Sequence, residues 1–122
     1  MSYQIVFREK GVIVSFEGEI NTQEIIDANS KLFGESRFDD LDYQIFDFTG
    51  VHKMEINDNQ AKILATLDDN STIWNSKMQV ALVDTDPNHI KEAIKYIDLM
   101  ENTPWKIRIF ANLEEAEAWC RD

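Results

Sequence analysis

The chain contains 122 residues, of which 43% are hydrophobic and 29% charged, a balance typical of a globular protein rather than a disordered one. We therefore expect a single domain over residues 1–122. The net charge of −11 disfavours nucleic acid and anionic membranes as partners. The single cysteine, the lack of a long apolar run and the absence of a signal-peptide pattern predict a cytoplasmic protein without membrane insertion.

Two β-rich runs open the chain. Tyr3–Phe7 and residues 12–16 predict a hairpin that turns near Gly11, a residue type that can adopt a positive φ. Asn21 has the position of a helix N-cap, and the apolar spacing after it predicts a helix that ends at Gly34.

The middle of the chain predicts a strand, a connection and a second helix. Residues 43–48 form the strand, and residues 49–56 are expected to form a longer connection. Asn57 or Asp58 caps the second helix, which is expected to end near Trp74. The inward face of this helix is expected to carry Ala61, Leu64, Ala65 and Leu67.

Two further strands alternate with two helices. Residues 78–83 are almost continuously apolar, as in a buried parallel strand. Asp86 and Pro87 predict the N-cap and first residue of the third helix, whose buried side is expected to carry Ile90, Ala93, Ile94 and Ile97. The alternation in Lys106–Phe110 predicts an edge strand covered on one side only, and Asn112 caps the last helix.

This order of elements predicts an α/β fold. Its sheet is mixed and five-stranded, with an N-terminal hairpin, then parallel strands joined by right-handed crossovers, and about four helices. The residues expected to contribute to the core are Phe46, Phe48, Val80, Leu82, Ile107 and Ile109.

Few side chains are suited to catalysis. His52, Glu55 and Asp58 form H-x-x-E-x-x-D, which could bind a metal only if the connection folded inward, and we interpret it as a solvated loop. His89, in the first turn of the third helix, is expected at the surface. Cys120 is expected to be an apolar filler, because it lies at the end of a helix opposite to the N-terminus that would activate a thiol.

Asp47 and Asp84 follow the third and fourth strands, at the sheet edge where α/β proteins bind ligands. Two carboxylates there could bind a cation or transfer protons, but hydrogen bonds from the backbone of the next loop are the simpler interpretation. The sequence contains no nucleophile elbow and no glycine-rich phosphate-binding motif. We therefore predict a protein that is not an enzyme and has no metal or cofactor.

The segment YQIFDFTGV, followed by HKMEIND and the helix AKILATL, resembles the anti-sigma factor antagonist (STAS) domains. Those domains run from a strand through D-[LF]-[ST]-G-V to I-D-S-S-G-L at the start of a helix. Asp47, Thr49, Gly50 and Val51 match the first of these motifs. The ending WKIRIFANLEEAEAWCRD is similar to the smaller bacterial SpoIIAA-like branch, also called STAS/CRAL-TRIO-like, and the resemblance covers nearly the whole chain.

The resemblance implies a β-α superhelix, with its helices largely on one sheet face, that binds a regulatory protein. Classical members are switched by phosphorylation of a serine at the start of the second helix, where this chain has Asn57 between Ile56 and Asp58. The resemblance therefore implies a docking module without the phosphoacceptor. Its candidate partner-binding residues are Thr49, Gly50, His52, Lys53, Met54, Glu55, Asn57 and Asp58.

Two other expectations remain open. The protein could instead carry or sense a small apolar ligand or lipid beneath the second and third helices, near Trp74, Met78, Tyr96, Met100 and Trp105. A homodimer is also expected, because one phasing of the strands leaves an apolar sheet face uncovered. That face would carry Tyr3, Ile5, Tyr43 and Ile45.

Overall fold

The computed structural model describes residues 2–121 and contains one five-stranded sheet whose strands lie side by side in chain order. The strands are Tyr3–Phe7 (β1), Gly11–Asn21 (β2), Tyr43–Glu55 (β3), Gln79–Val83 (β4) and Lys106–Phe110 (β5). The helices are Thr22–Phe33 (α1), Asp58–Ser71 (α2), Pro87–Leu99 (α3) and Leu113–Arg121 (α4). β1 and β2 are antiparallel and the other neighbours are parallel, which confirms the mixed α/β sheet. Among residues 2–121, no helix is long and apolar enough to cross a bilayer.

The sheet separates two hydrophobic cores. The larger core lies on the face covered by α1, α2 and α3, and it includes all six predicted core residues. Phe46, Val80 and Leu82 are buried there, while the other three are half-buried. The smaller core lies on the opposite face, where α4 places Ala116 and Cys120 against β3 and β4. Three helices therefore share one face, as the resemblance implies.

β2 and β3 are both longer than the sequence predicts. The predicted connection over residues 49–56 is wrong, because β3 continues to Glu55 in parallel pairing with residues 17–21 of β2. Two register shifts in the pairing accommodate this extension. β4 pairs only with residues 43–47 of β3. Residues 17–21 and 50–55 therefore form a two-stranded extension beyond the main sheet, here called the β2–β3 ribbon.

Two glycines have roles that differ from the prediction. The positive φ expected at Gly11 occurs at Gly18 instead, with φ of 78°, next to a register shift. Gly11 is needed for space, because a Cβ there would lie 2.2 Å from ring atoms of Tyr43 on β3. The pair Gly11–Tyr43 is the first of the β2–β3 pairing.

The predicted burial of two residues of α3 is wrong. Ile94, expected to be buried, is 49% exposed, and the one buried residue of this helix among the described residues is His89, expected at the surface. Ile90 and Ala93 are half-buried because they line a cavity between α2 and α3. α2 also ends earlier than predicted, at Ser71.

The apolar sheet face predicted to support a dimer does not form. Tyr3 and Ile5 pack on the side of α1, α2 and α3, whereas Tyr43 and Ile45 lie on the other side, beneath α4. Ile45 is completely buried within the monomer. The two pairs of residues lie on opposite faces, so the sequence phasing behind the dimer was wrong.

β5 is an edge strand, as predicted, but its second side is not bare. The guanidinium of Arg108 lies 5.7 Å from the ring centre of Trp119 on α4. The ring of Phe110 packs against the same Trp119 at 5.4 Å between ring centres. α4 therefore partly covers the side that the alternation predicts to be open.

Candidate functional site

The β2–β3 ribbon and the start of α2 carry the predicted partner-binding residues. Seven of the eight are exposed and Met54 is half-buried, with Ile56 and Val51 turned towards the interior between them. The exposed residues are Thr49, Gly50, His52, Lys53, Glu55, Asn57 and Asp58. The predicted residues thus share one continuous stretch of surface.

The ribbon begins at a local hydrogen-bonded turn. Oδ1 of Asp47 accepts hydrogen bonds from the backbone N–H of Thr49 (3.0 Å) and from its hydroxyl (2.7 Å). This confirms the backbone interpretation of Asp47. A Cβ on Gly50 would lie 3.0 Å from the carbonyl oxygen of Phe16, so a side chain here would require β2 to shift by a few tenths of an ångström.

The ribbon ends at the N-cap of α2. Oδ1 of Asn57 accepts a hydrogen bond from the backbone N–H of Gln60 (3.1 Å), which confirms Asn57 as the cap. The backbone N–H of Asn57 donates to Oγ1 of Thr22 (2.9 Å), whose hydroxyl donates to the carbonyl of Glu55 (3.4 Å). The starts of α1 and α2 are thereby joined.

The surface of the ribbon is mainly acidic. Glu17 and Glu19 on β2 are exposed, as are Glu55 and Asp58. Nζ of Lys53 pairs with Oε1 of Glu55 at 3.3 Å. Over residues 2–121, no three His, Cys, Asp or Glu side chains converge in a metal-binding arrangement, and this includes the H-x-x-E-x-x-D set.

A cavity of about 500 Å³ lies between α2 and α3, against the sheet. Its walls are mainly apolar and include Phe46, Phe48, Leu64, Val80, Leu82 and Ile90. Of the five residues predicted to surround a ligand there, only Tyr96 lines the cavity. Three of the others belong to the core and Trp74 is 64% exposed, because the cavity lies nearer the carboxyl ends of the strands than the sequence suggested.

One polar group of the cavity is a buried His–Asp pair. Nδ1 of His89 lies 2.7 Å from Oδ2 of Asp84, and both side chains are buried. Oδ1 of Asp84 accepts hydrogen bonds from the backbone N–H groups of Thr85 (2.8 Å) and Asp86 (3.1 Å), which confirms the backbone interpretation of Asp84. Nε2 of His89 is 3.8 Å from Asp86, beyond hydrogen-bond distance. The pair was not predicted, because Asp84 follows β4 while His89 lies in the first turn of α3, and their contact depends on how the helix packs against the strand end.

The second polar group is the carboxyl of Asp68, which is 3% exposed. Its Oδ2 accepts a hydrogen bond from the hydroxyl of Tyr96 (2.5 Å), and its Oδ1 accepts one from Nδ2 of Asn29 (3.3 Å). Burial raises the pKa of Asp68 to about 7, although the bond from Tyr96 acts in the opposite direction. Burial, together with the neighbouring carboxyl, also raises the pKa of Tyr96. The spacing of Leu64 and Asp68 on one helical face was the available signal in the sequence.

Solved structures identify the fold. SpoIIAA, an anti-sigma factor antagonist, in its unphosphorylated form is 16% identical with a TM-score of 0.60, over 98% of this chain and 97% of that one. The protein has the SpoIIAA-like fold. An anti-sigma factor antagonist from Mycobacterium paratuberculosis is 18% identical with a TM-score of 0.57, over 98% of this chain and 93% of that one. An uncharacterised protein from Shewanella loihica with a SpoIIAA-like fold is 10% identical with a TM-score of 0.58, over 97% and 91%.

These similarities confirm the predicted resemblance at the level of the fold. No protein-family model and no curated protein matches the sequence.

Proposed function

We propose that this SpoIIAA-like domain is a non-catalytic regulatory module that binds a partner protein through the β2–β3 ribbon and the start of α2. The observation that supports it is the open edge of the ribbon. Residues 50–55 pair with β2 on one side, while β4 pairs no further along β3 than Asp47. An open strand edge can accept an additional strand from a partner through backbone hydrogen bonds. Two of the structural neighbours are themselves anti-sigma factor antagonists.

The charge of the ribbon indicates the chemistry of the partner. Four acidic side chains are exposed here, those of Glu17, Glu19, Glu55 and Asp58. The nearby Lys53 already pairs with Glu55. A partner segment with basic side chains complements this surface and is attracted by the net charge of −11. We also propose that the protein acts in the cytoplasm. Residues 1–122 form a single domain in this proposal.

The proposed binding is not switched by phosphorylation. The side chain of Asn57 is an amide, which cannot accept a phosphoryl group as a serine does, and its oxygen already caps α2. The hydroxyl of Thr49 donates to Asp47 within the turn. Permanent negative charge at Glu55 and Asp58 lies near the helix N-terminus, where a phosphate would add negative charge.

Affinity capture from a native lysate tests this function. Wild-type protein should capture a partner whose yield falls about tenfold with Glu55→Lys, because a reversed charge opposes a basic segment. Gly50→Val should act similarly by displacing β2 at Phe16. Glu101→Lys is the matched charge control, since Glu101 is exposed just beyond the C-terminal end of α3. Equal capture by both ribbon variants, at unchanged melting temperature, would place the docking site elsewhere.

A phosphate mapped to Thr49 in cells would contradict the unswitched form of this proposal. Capture with Thr49→Ala tests whether the hydroxyl of Thr49 serves only the turn or also the binding of the partner. Loss of the bond to Asp47 should lower the melting temperature slightly, since one exposed hydrogen bond contributes about 1 kcal/mol or less. Capture of the partner should be unchanged.

The cavity between α2 and α3 supports a second candidate function, that of a carrier or sensor of a small apolar ligand. A volume of about 500 Å³ lies within the range of small-molecule sites, roughly 300–1,000 Å³. Native mass spectrometry of gently purified protein should show an adduct on the order of a few hundred daltons. Ala93→Trp, which fills the cavity from α3, should abolish the adduct, whereas persistence of the adduct in that variant would place the ligand elsewhere.

A further inference from the structure

We propose that the cavity between α2 and α3 selects an amine: a small, mainly apolar molecule whose ammonium group binds the carboxylate of Asp68. This inference rests on the second candidate function, a ligand carrier, and adds the chemical class of the ligand. Met54 and Asp58 belong both to the lining of the cavity and to the candidate docking surface. The observations that support it are the positions, the hydrogen bonds and the charges of the polar groups that line the cavity.

The buried polar groups of α2 and α3 lie at two levels along a mainly apolar cavity. His89 and Tyr96 are seven residues apart on α3, which is two helical turns or about 10.5 Å along its axis. Ile90 and Ala93 line the cavity between those levels. A ligand with an apolar body can therefore contact these walls while its polar end reaches Asp68.

The buried polar groups present acceptors to a ligand. Asp68 uses one hydrogen bond on each oxygen, from Tyr96 and from Asn29, and a carboxylate has about four acceptor positions. At the other level, the carboxylate of Asp84, also an acceptor, lies 2.7 Å from Nδ1 of His89. A ligand that donates hydrogen bonds satisfies these groups, whereas a ligand that only accepts them does not.

The charges around the cavity favour a cation. Five carboxylates line it, two of them exposed, against two lysines and His89, which pairs with Asp84. Nζ of Lys95 lies 3.2 Å from Oε1 of Glu92, and Lys62 and Lys95 are both exposed, so neither provides a buried partner for an anion. The carboxylates are Asp58, Asp68, Asp84, Glu92 and Asp98. A fatty acid or a phosphate is therefore disfavoured on electrostatic grounds.

The energetic cost of burying the ionised carboxylate of Asp68 also favours a cationic ligand. Burial disfavours its ionised form, which is why its pKa is raised to about 7. An ammonium group at hydrogen-bond distance stabilises the ionised carboxylate and offsets part of that cost of burial. Two donors, Tyr96 and Asn29, already hold the carboxyl in place, so the ligand meets an oriented partner.

Three probes with the same apolar body test the inference. They are naphthalen-1-ylmethylamine, naphthalen-1-ylmethanol and 1-naphthoate, titrated calorimetrically into the wild-type protein at pH 8. We expect the amine to bind at least about tenfold more tightly than the alcohol, and the carboxylate to bind most weakly. Asp68→Asn should reduce the affinity for the amine to within about threefold of that for the alcohol, while leaving the alcohol nearly unchanged.

Asp69→Asn is the matched control, because it removes the same charge from the next position of α2 but its side chain is exposed and does not line the cavity. It should bind all three probes like the wild type. If Asp68→Asn does not fold, amide chemical shifts of the wild type replace it. The amine should then shift the signals of Ala61 and Ala93 but not those of α4, and shifts confined to the surface would overturn the inference.

The outcomes separate this inference from the function on which it rests. If no probe binds, the carrier function fails together with the inference. If the alcohol and the amine bind equally well, or the carboxylate binds best, the cavity is a ligand site but does not select amines. If Asp68→Asn and Asp69→Asn lose affinity for the amine equally, the effect is due to net charge and Asp68 is not the partner.

Discussion

Asp68 is the buried carboxyl whose titration should have the largest effect on stability. Its folded pKa of about 7 lies above the ordinary value of 3.8, so between these values the folded protein binds more protons than the unfolded chain. Its contribution is therefore fully present below pH 3.8 and is lost as the pH rises through 7. One pKa unit corresponds to about 1.4 kcal/mol, which limits the loss to about 4 kcal/mol.

Urea unfolding at pH 4.5 and pH 8 measures this loss. We expect the free energy of unfolding of the wild type, relative to Asp68→Asn, to fall over this range. Asp69→Asn should follow the wild type, because Asp69 is exposed. Parallel profiles for the wild type and Asp68→Asn would contradict the raised pKa.

Cys120 is a buried thiol on the α4 side of the sheet. Burial, with a smaller contribution from Glu117, raises the pKa of Cys120 to about 12, so almost no thiolate is present at pH 8. The folded protein should react with Ellman's reagent much more slowly than the same protein in denaturant, which should release one thiol per chain. Equal rates in the two states would show that α4 does not stay packed on the sheet.

At the scale of elements, the close contact of β2 and β3 depends on Gly11. A Cβ there would lie 2.2 Å from atoms of the Tyr43 ring, which belongs to the core beneath α4. Gly11→Ala should therefore lower the free energy of unfolding by about 1–3 kcal/mol, as overpacking does.

A double-mutant cycle with Tyr43→Ala identifies the cause. If the ring is the obstacle, Gly11→Ala should cost much less when Tyr43 is already alanine, and the two changes should be non-additive. Thermal or urea unfolding of the wild type, the two single variants and the double variant gives the coupling free energy between the two positions. Additive effects would mean that the penalty arises from the backbone of Gly11 and not from Tyr43.

The helices and strands were predictable where a local pattern decides them. Asn21, Asn57 and Asp86 cap their helices as predicted, because capping depends on side chains within three residues of the helix start. The extension of β3 to Glu55 was not predictable in the same way. Its strand conformation depends on pairing with residues 17–21, which lie more than thirty positions earlier in the chain.

At the scale of the whole molecule, the charge of −11 is the dominant property. It repels the phosphate backbone of nucleic acids, and counterion release on binding requires clustered bases that this sequence lacks. A mobility-shift assay at physiological salt should show no complex with generic DNA or RNA. Tight binding that weakens with added salt would contradict this prediction.

The candidate site also combines features that a local pattern reveals with features that depend on packing. The resemblance pointed to the stretch from Thr49 to Asp58, and the Asn57 cap was visible as a local pattern, but the strand conformation of residues 49–55 was not. The sequence did not locate the polar groups of the cavity, since Asp68 on α2 meets Asn29 on α1 and Tyr96 on α3 only after the helices pack. A cavity does lie between the two helices named from the sequence, but of the residues predicted to surround it only Tyr96 lines it.

The sequence by itself determined the order of the elements, the mixed sheet and the resemblance to SpoIIAA-like proteins, because hydrophobic periodicity, capping residues and short motifs act over a few neighbouring residues. Only the tertiary structure decided which sheet face each strand residue occupies, as the separation of Tyr3 from Tyr43 shows. It also decided that β2 and β3 continue as a ribbon and that α2 and α3 leave a cavity between them. Strand register and helix spacing depend on contacts between residues far apart in the chain, which no local pattern records.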